Sequence, residues 1–503
     1  MAETAPGLEH ALVGDQHYAQ GQFAQALDAY AQALEVQPHN VYWRFLAGES
    51  LFHLGRYDDV VAVLHDLNPG ADATLAIEHA LTLGRALQQI GQNTAAEMQL
   101  TKAFMLAPGH EEAAYNLAVF YEQTGMPEQA IALLQVATQQ LPQSVRLHHN
   151  LGSLLAHCGR TAAAQAVLEH TLALAPKRQS THHNLALVLL RQGQLAGGWA
   201  HYAWRFNRQA FEGAPAEWAP HTPSLPADLR VQSVQVLGEQ GIGDELFFMR
   251  YLPALQARGA RVDYRLCNSK LASLRHQPAL AAWLSGGHAE PAQHTLLAGD
   301  LPLALGENTY PAAVALQADA STRLRLVAQH PLLGRARPRL GLAWRAGTQM
   351  QYADFSTQRW LEKAVPLGLL LDLLAPLGVD IVILQRGLLP EELAEVHARL
   401  GPERVLDASA LDEDLDELLA LLSCLDGLLG VSNTNVHLAA GLGLGGDVLV
   451  PAPAEFRWQE QGTPSPWFPG FAVHRQVAGA GWQAAMASLA ASLHARYASA
   501  QRL

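Results

Sequence analysis

The stretch GEQGIGDE, residues 238–245, combines the residue types of a ligand-binding turn. Gly238, Gly241 and Gly243 lead from an apolar strand pattern to Asp244 at the start of an amphipathic helix pattern. Glycine lets a ligand come close to the backbone, and the free N–H groups of a helix start favour an anion or an oxygen-rich ligand. The same residues also fit an ordinary helix start with Asp244 as the N-cap, which the local pattern alone favours.

Two common nucleotide-binding fingerprints do not fit this stretch. Its glycine order is G-x-x-G-x-G, whereas dinucleotide-binding turns need G-x-G-x-x-G, and no G-K-[ST] follows as in a P-loop. The sequence therefore predicts neither a bound dinucleotide nor a P-loop, and it weakens a reading as an epimerase or another dinucleotide-dependent enzyme.

Polar residues recur with a fixed spacing in the first part of the chain. Asn116, Asn150 and Asn184 are spaced by 34 residues. If they face a groove, they form an amide ladder able to bind an extended peptide backbone; otherwise they cap or bridge neighbouring helices. Two pairs of histidines recur at the same two repeat positions: His148 and His149, and His182 and His183. A metal site is conceivable there, but without carboxylates or cysteines nearby these pairs favour groove-lining polar residues.

The elements that carry these asparagines form a repeat. Pro108, Pro142 and Pro176 are spaced by 34, as are Gly91, Gly125, Gly159 and Gly193. Small residues let a second helix pack against a first, larger residues one turn later fill the groove, and proline ends the pair. The small positions are Ala26, Ala96, Ala130 and Ala164, and the larger ones are Tyr30, Leu100, Leu134 and Leu168.

Such helix pairs resemble the tetratricopeptide repeat family, with about six units over residues 7–206. One pair cannot bury its apolar face alone, so the resemblance implies an α-solenoid whose surface binds a peptide or protein. The second unit is degenerate, with Val60 in the small position, and the aromatic stretch GGWAHYAWRF predicts a cap against the next domain.

Beyond a Pro- and Ala-rich linker at 207–230, short apolar strands alternate with helical patterns. This order predicts parallel α/β units that split near residues 330–338 into two Rossmann-like lobes facing a cleft. We assign the first lobe to 231–335, the second lobe to 336–480 and a last helix to 481–503, which could cross back to the first lobe. One helix is expected over 244–259.

Composition limits the functional classes. A net charge of −13 over 503 residues argues against a nucleic-acid surface, and 49% apolar residues supply ordinary cores. The three scattered cysteines predict buried thiols in a reducing compartment, and the first ten residues do not resemble a signal peptide. With no membrane-spanning stretch either, we expect a cytoplasmic protein.

The α/β half resembles the bacterial heptosyltransferase-like glycosyltransferases, and in particular their relatives fused to tetratricopeptide repeats. Six segments carry this resemblance, in order: GIGDELFFMRYLPALQARGARV, LAGDLPLALG, GLAWRAG, VILQRG, VSNTNVHLAAGLG and SPWFPGFAVHRQ. The resemblance implies a GT-B fold and transfer of a sugar from a nucleotide-sugar donor, without a cofactor or a metal ion.

The same resemblance implies roles for individual residues. The acid of the first loop, here Asp244, would act as general base on an acceptor hydroxyl. His437 would reach the phosphate or the sugar, although it also fits a helix histidine buried in the core. Arg345 would face the leaving diphosphate and Gln385 the base. The donor would also contact Gly241 and Gly243, and its diphosphate would bind a polar helix start: Ser432, Asn433, Thr434 and Asn435.

Several positions depart from the family pattern. Many relatives carry an acid where Ser432 stands, and an expected Asp…Arg-Ser segment is replaced by one in which Asp354 and Arg359 are its remnants. The lysine and proline usual before the last strand are replaced by LGGD. These changes leave the donor sugar open and allow activity to be weak or lost.

Two functions from different classes follow. The first is a glycosyltransferase whose repeats recruit a protein acceptor, flagellin- or adhesin-like, through Asn116, Asn150 and Asn184, with lipopolysaccharide as another acceptor. The second is a scaffold or adaptor with a degenerate transferase region that only binds.

Overall fold

The computed structural model describes residues 7–213, 220, 224–284, 291–348 and 361–497. Asp354 and Arg359 lie outside these residues. The chain divides into two compact units, Met1–Leu154 and Leu155–Leu503, called the first and second unit below.

The first unit consists of paired helices. Their turns contain glycines with positive φ, a conformation that glycine adopts at little cost. The turn glycines are Gly21, Gly55, Gly91 and Gly125. The helices are α1 Leu8–Ala19, α2 Phe23–Val36, α3 Val41–His53, α4 Tyr57–Leu64, α5 Ala73–Gln89, α6 Asn93–Leu106, α7 Glu111–Gln123 and α8 Pro127–Gln140, with α9 Val145–His157 running across the boundary.

Close packing within each pair follows the predicted pattern. Ala26, Ala96 and Ala130 are fully buried. A Cβ added at Gly84 would lie 2.9 Å from the Leu100 side chain, so the two helices of that pair approach closely. Val60, in the degenerate second repeat, is buried as well, and the second helix of that repeat has only eight residues.

The second unit begins with the remaining repeat helices and continues into the α/β region. The repeat helices are α10 Thr161–Leu174, α11 Gln179–Arg191, α12 Leu195–Tyr202 and a short α13 Phe206–Glu212. The aromatic stretch of the last repeat packs on the α/β region, since the Trp199 ring lies 5.9 Å from Phe456 and 6.3 Å from Trp467 between centroids. The cap expected from these aromatics is present.

The first lobe contains a three-stranded parallel sheet. Its strands are β1 Ser233–Leu237, β2 Arg261–Arg265 and β3 His294–Leu297, in the order β2-β1-β3. Its helices are α14 Ile242–Met249, α15 Leu252–Ala257, α16 Pro278–Ala281, α17 Leu301–Leu305 and α18 Ala320–Gln329. The single helix expected over 244–259 is therefore two, because Pro253 cannot continue a helix that began upstream.

The second lobe contains a six-stranded parallel sheet and a small hairpin. The elements are β4 Arg339–Ala343, the antiparallel β5 Arg345–Thr348 and β6 Leu361–Ala364, α19 Leu367–Leu374, β7 Asp380–Ile383, α20 Pro390–Leu400, β8 Val405–Asp407, α21 Leu415–Leu422, β9 Gly427–Val431, α22 Thr434–Gly441, β10 Gly446–Val450, β11 Phe471–Arg475 and α23 Gln483–Tyr497. The large sheet has the order β11-β10-β9-β4-β7-β8. Counted within this lobe, it is the 3-2-1-4-5-6 order of a Rossmann sheet, which places the topological switch point between β4 and β9.

The last helix packs on the second lobe, so the expectation that it crosses back to the first lobe is wrong. Leu489 and Leu493 of α23 share a core with Leu340 and Ile381 of that sheet. The His474 ring connects the buried Asp447 carboxylate, 2.9 Å away, to the Ser488 hydroxyl of α23, also 2.9 Å away.

Two further predictions concern the cysteines and membrane-spanning helices. Cys424 is buried, but Cys158 is half-buried and Cys267 is exposed, so the expectation of buried thiols holds for one cysteine only. Within the described ranges, no helix is long and apolar enough to cross a bilayer.

Candidate active site

Gly238, the first glycine of the opening loop, makes room for a buried carboxylate. A Cβ at Gly238 would lie 2.0 Å from Glu245 Oε2. Glu245 accepts hydrogen bonds from the N–H groups of Cys267, at 3.1 Å, and Asn268, at 2.8 Å. Its burial raises the pKa of this carboxyl. The glycine thus serves the packing of β1, α14 and the loop after β2.

The next residue, Glu239, joins this loop to the last repeat. Arg205 donates two hydrogen bonds to Glu239, at 2.9 and 2.6 Å, and one to Asp300, at 2.7 Å. Glu239 also accepts from the N–H of Gly299 at 2.7 Å. Gln240, with φ of 67°, donates to the Tyr202 hydroxyl at 3.1 Å. This cluster was not predicted from the sequence, where its signal was charge within apolar segments, in GEQG, LAGD and AWRF.

Asp244 lies at the third position of α14 and faces the second lobe. Its Oδ2 accepts a hydrogen bond from the N–H of Gly241, at 3.2 Å, so Gly241 is the N-cap residue and Asp244 completes the cap from inside the helix. Its Oδ1 forms an ion pair with Arg457 of the second lobe. The carboxylate is 24% exposed. It thus has a structural role and an orientation toward the opposite lobe.

Gly243 packs closely against His437 of the second lobe. A Cβ at Gly243 would lie 3.3 Å from the His437 ring and 4.0 Å from Thr434 Oγ1. The buried His437 ring packs edge-on against Phe247 and Phe468. Burial, followed by the charges of Arg457 and Arg250, holds the pKa of His437 well below its usual value. The imidazole is therefore neutral at neutral pH.

The predicted polar helix start lies at the switch point of the second lobe. It follows the carboxyl end of β9, where ligands of open α/β sheets bind. Asn433 is the N-cap of α22, and its Oδ1 accepts from the N–H of Asn435 at 3.0 Å. Ser432 is buried, and Thr434 faces Gly243. The starts of α14 and α22 therefore approach each other.

Two cations reach the same place and were not predicted. Lys363 Nζ lies 2.7 Å from Glu455 Oε2 and 3.5 Å from the carbonyl oxygen of Ser432. Arg457 Nη1 lies 2.8 Å from the other oxygen of Glu455. We call the following group the interlobe site: Gly241–Asp244, Ser432–Asn435, His437, Lys363, Glu455 and Arg457.

A third cation, Arg250, borders the interlobe site and is bound by carbonyl groups. It donates to the carbonyl oxygens of Phe247 at 2.9 Å and of Pro311 and Trp467 at 3.2 Å each. It forms no ion pair with any carboxylate in the described part of the chain. Burial lowers the pKa of Arg250 to about 9, so it stays charged at neutral pH. Three cations and two carboxylates give this region an excess positive charge.

Arg345 and Gln385 lie on the other side of β4, toward β7. Arg345 binds Glu392 at the start of α20 with two hydrogen bonds, at 3.0 and 2.7 Å, and holds the pKa of that carboxyl at about 2. Gln385 Oε1 accepts from the N–H groups of Trp344 and Arg345, at 3.0 and 2.9 Å. Both side chains bind neighbouring protein groups, so their predicted contacts with the donor remain a prediction.

The asparagines of the repeats are shielded from solvent to different degrees. In the first unit, Asn116 is half-buried and Asn150 buried, and their Nδ2 atoms find no acceptor among the residues that the structure describes. In the second unit, Asn184 is buried. Of the recurring histidines, His182 bonds the carbonyl of Pro176 at 2.9 Å and stacks on Trp204. An amide ladder would need the Asn116 and Asn150 side chains to turn outward.

Comparison with known proteins identifies the repeats. Models of the tetratricopeptide repeat family match residues 14–63, 86–158 and 145–178. The N-terminal region is a tetratricopeptide solenoid.

Three individual proteins illustrate what the chain is similar to. Protein FlbA of Caulobacter vibrioides is 25% identical over 533 aligned residues, which cover 94% of this chain and 82% of that protein. Among solved structures, MamA of Desulfovibrio magneticus is 20% identical, with a TM-score of 0.30, and covers 35% of this chain and 98% of its own. YrrB, described as a tetratricopeptide protein with an unusual peptide-binding site, is 19% identical, with a TM-score of 0.29, and covers 33% and 85%.

Proposed function

We propose that the chain is a glycosyltransferase that moves a sugar from a nucleotide-sugar donor to a protein acceptor, which the repeats recruit. The observation that carries this proposal is the interlobe site, where Asp244 of the first lobe pairs with Arg457 of the second and the neighbouring Gly243 lies against the start of α22. The Asp244 carboxylate and the start of α22 belong to segments about 190 residues apart, which follow strands of two separate sheets.

The charge of the site favours a diphosphate. Two helix starts approach each other there, and each carries a partial positive charge and free N–H groups. Lys363, Arg457 and Arg250 add three full charges, of which Asp244 and Glu455 balance two. An excess of positive charge attracts anions, and a nucleotide sugar carries an anionic diphosphate at the bond to be broken.

The chemistry assigns each group one task. Asp244 takes the proton of an acceptor hydroxyl as its oxygen forms a bond to the anomeric carbon. The bond from that carbon to the diphosphate oxygen breaks, and its electron pair leaves with the diphosphate. Lys363 and the N–H groups of α22 then stabilise the leaving charge. Neutral His437 supplies a hydrogen bond without competing for the proton.

An adaptor without catalysis is the second candidate, and one observation favours it. Asp244 is paired with Arg457, and Asn433 caps its own helix, so these side chains are satisfied within the protein. In this candidate function the repeats bind a protein partner and the lobes serve as a rigid attachment.

A transfer assay separates the two candidates. A panel of nucleotide sugars is first screened by ligand-induced thermal stabilisation of the full chain, and the stabilising donor is then used in an assay of sugar transfer and donor hydrolysis. We expect Asp244→Asn to lower transfer at least 100-fold while donor stabilisation remains. Asp228→Asn, at an exposed acid of the linker just before this lobe, is the matched control and should leave transfer unchanged.

The adaptor predicts a different result in the same experiment. No donor would be hydrolysed, and a bound protein partner would remain bound after both Asp244→Asn and His437→Asn. That combination would refute the transferase proposal.

A further inference from the structure

Arg457 is the one residue of the interlobe site that holds a carboxylate from each lobe. Its guanidinium pairs with Asp244 of the first lobe and, at 2.8 Å, with Glu455 of the second. Arg457 is only 8% exposed, yet its Nε finds no acceptor among the described residues. A buried donor without a partner is costly, so this guanidinium has binding capacity that the protein itself does not use.

The pair also restrains the proposed base. A charge-assisted hydrogen bond from a guanidinium occupies Asp244 Oδ1, while Oδ2 accepts from the N–H of Gly241 at 3.2 Å. Each oxygen keeps a second lone pair, but the carboxylate is held against Arg457, so an acceptor hydroxyl has to compete with that cation for Asp244. The arrangement seen here is therefore one in which the base is withheld.

We infer that Arg457 binds the diphosphate of the donor and in doing so releases Asp244, so that the donor must bind before the acceptor can be activated. This inference deepens the proposed function and rests on it for the nature of the donor. The diphosphate replaces the single charge of Asp244 with a larger one, and Glu455 remains as the anchor of the guanidinium.

The surroundings of Arg457 allow this exchange. Its guanidinium lies over the faces of two aromatic rings, 4.7 Å from the Phe247 centroid and 4.8 Å from that of Phe456. A flat ring attracts the cation without fixing its hydrogen-bonding direction, so the group can turn in its plane. The backbone is held separately, because Ser465 Oγ donates to the Arg457 carbonyl at 3.0 Å.

Calorimetric titration of the full chain with inorganic pyrophosphate tests the inference. We expect Arg457→Gln to weaken pyrophosphate binding at least tenfold. Asp244→Asn should tighten it several-fold, because that change removes the competing carboxylate and frees the guanidinium. Arg457→Lys keeps the charge but loses the forked, two-pronged hydrogen-bonding geometry of the guanidinium. Its affinity for pyrophosphate should therefore lie between those of the wild type and Arg457→Gln.

The control is Arg325→Gln, which removes an arginine paired with Glu417 on exposed helices and should leave binding unchanged. Thermal unfolding of each variant reports whether it is folded, and the Asp244→Asn result does not depend on the Arg457 variants. Equal affinity in wild type, Arg457→Gln and Asp244→Asn, or no binding in any of them, would overturn the inference.

The outcome remains distinct from that of the proposed function. Transfer activity with unchanged pyrophosphate affinity in Arg457→Gln would keep the glycosyltransferase and remove the role of Arg457. Altered pyrophosphate binding with no transfer of any sugar would keep the anion site and remove the transferase.

Discussion

The two compact units of the chain use charged side chains in different ways. Residues 1–154 contain 16 acidic and 5 basic residues, a net charge of −11, whereas the remaining 349 residues have a net charge of only −2. Ion pairs of the first unit lie at the surface, as in Arg56–Asp59, where both side chains are about half exposed. In the second unit, Arg205, Glu239 and Asp300 are nearly fully buried.

This difference separates what charge does for each unit. The helix pairs of the first unit are held by apolar contacts between near neighbours in sequence, so charge is left to the surface. The second unit joins elements that are distant in sequence, and buried charges fix how they meet. Buried pairs add less stability than their Coulomb energy suggests, but breaking one leaves an uncompensated charge inside the protein.

Removing Arg205 should have the largest effect. In Arg205→Ala, the Glu239 carboxylate stays buried without its cation and Asp300 keeps only Arg208, at 3.5 Å. We expect the free energy of unfolding of the second unit to fall by about 3–5 kcal/mol. Arg56→Ala should change the free energy of unfolding of the first unit by less than about 1 kcal/mol. Urea denaturation of the full chain, followed by tryptophan fluorescence, measures both; similar effects in the two variants would abolish the distinction.

Filling the space at Gly238 sharpens the same contrast. Gly238→Ala would place a methyl group against the Glu245 carboxylate, and we expect a loss of about 1–3 kcal/mol in the free energy of unfolding. Gly109→Ala, in a loop of the first unit where an added Cβ meets nothing within 4 Å, is the matched control. It should be neutral or slightly stabilising, because alanine restricts the unfolded chain. A larger loss of stability in Gly109→Ala than in Gly238→Ala would contradict the close contact between Gly238 and the Glu245 carboxylate.

Acid should weaken the second unit through His437. Its folded-state pKa lies well below the unfolded value of about 6.5, so the unfolded chain takes up a proton that the folded chain does not. Stability is therefore lost as pH falls below about 6.5, and His437→Asn should reduce this slope by about 1.4 kcal/mol per pH unit. Denaturation midpoints between pH 5 and 7 measure the slope. An unchanged slope would mean that His437 titrates normally.

The smallest effect is expected at the repeat asparagines. Asn150→Ala combined with Asn184→Ala should weaken binding of a protein acceptor by roughly three- to tenfold, through lost hydrogen bonds of about 1 kcal/mol, while donor hydrolysis is spared. Pull-down with the acceptor and the donor assay measure the two properties. An equal loss of both would show that the asparagines hold the fold.

The sequence predicted what local patterns encode. About six helix pairs were expected over residues 7–206, and the described residues form six. The four glycines spaced by 34, Gly91, Gly125, Gly159 and Gly193, all have the positive φ of a turn. Strands β1 to β4 and β7 to β10 were also predicted from short apolar runs between turn residues. The β5–β6 hairpin was missed because its strands carry few apolar residues, and β11 was hidden within the segment SPWFPGFAVHRQ.

The interlobe site was only partly predictable. Asp244, His437 and the turn at 432–435 follow strand ends, and their meeting could be anticipated from the rule that ligands bind at the carboxyl ends of parallel strands. Arg457 and Lys363 follow no such rule. Each reaches the site from a segment whose position depends on contacts with residues distant in sequence. The neighbouring residues in the sequence therefore do not predict which group it will pair with.

The hydrogen bonds between the last repeat and the loop at 238–245 have a consequence for how such chains can diversify. Arg205 donates to Glu239, and the Tyr202 hydroxyl accepts a hydrogen bond from Gln240, so the end of the solenoid is bonded directly to the α/β region. Duplication or loss of helix pairs is then tolerated toward the amino terminus, while the pair nearest the lobes is fixed. The number of helix pairs can therefore change without altering the contacts of the opening loop.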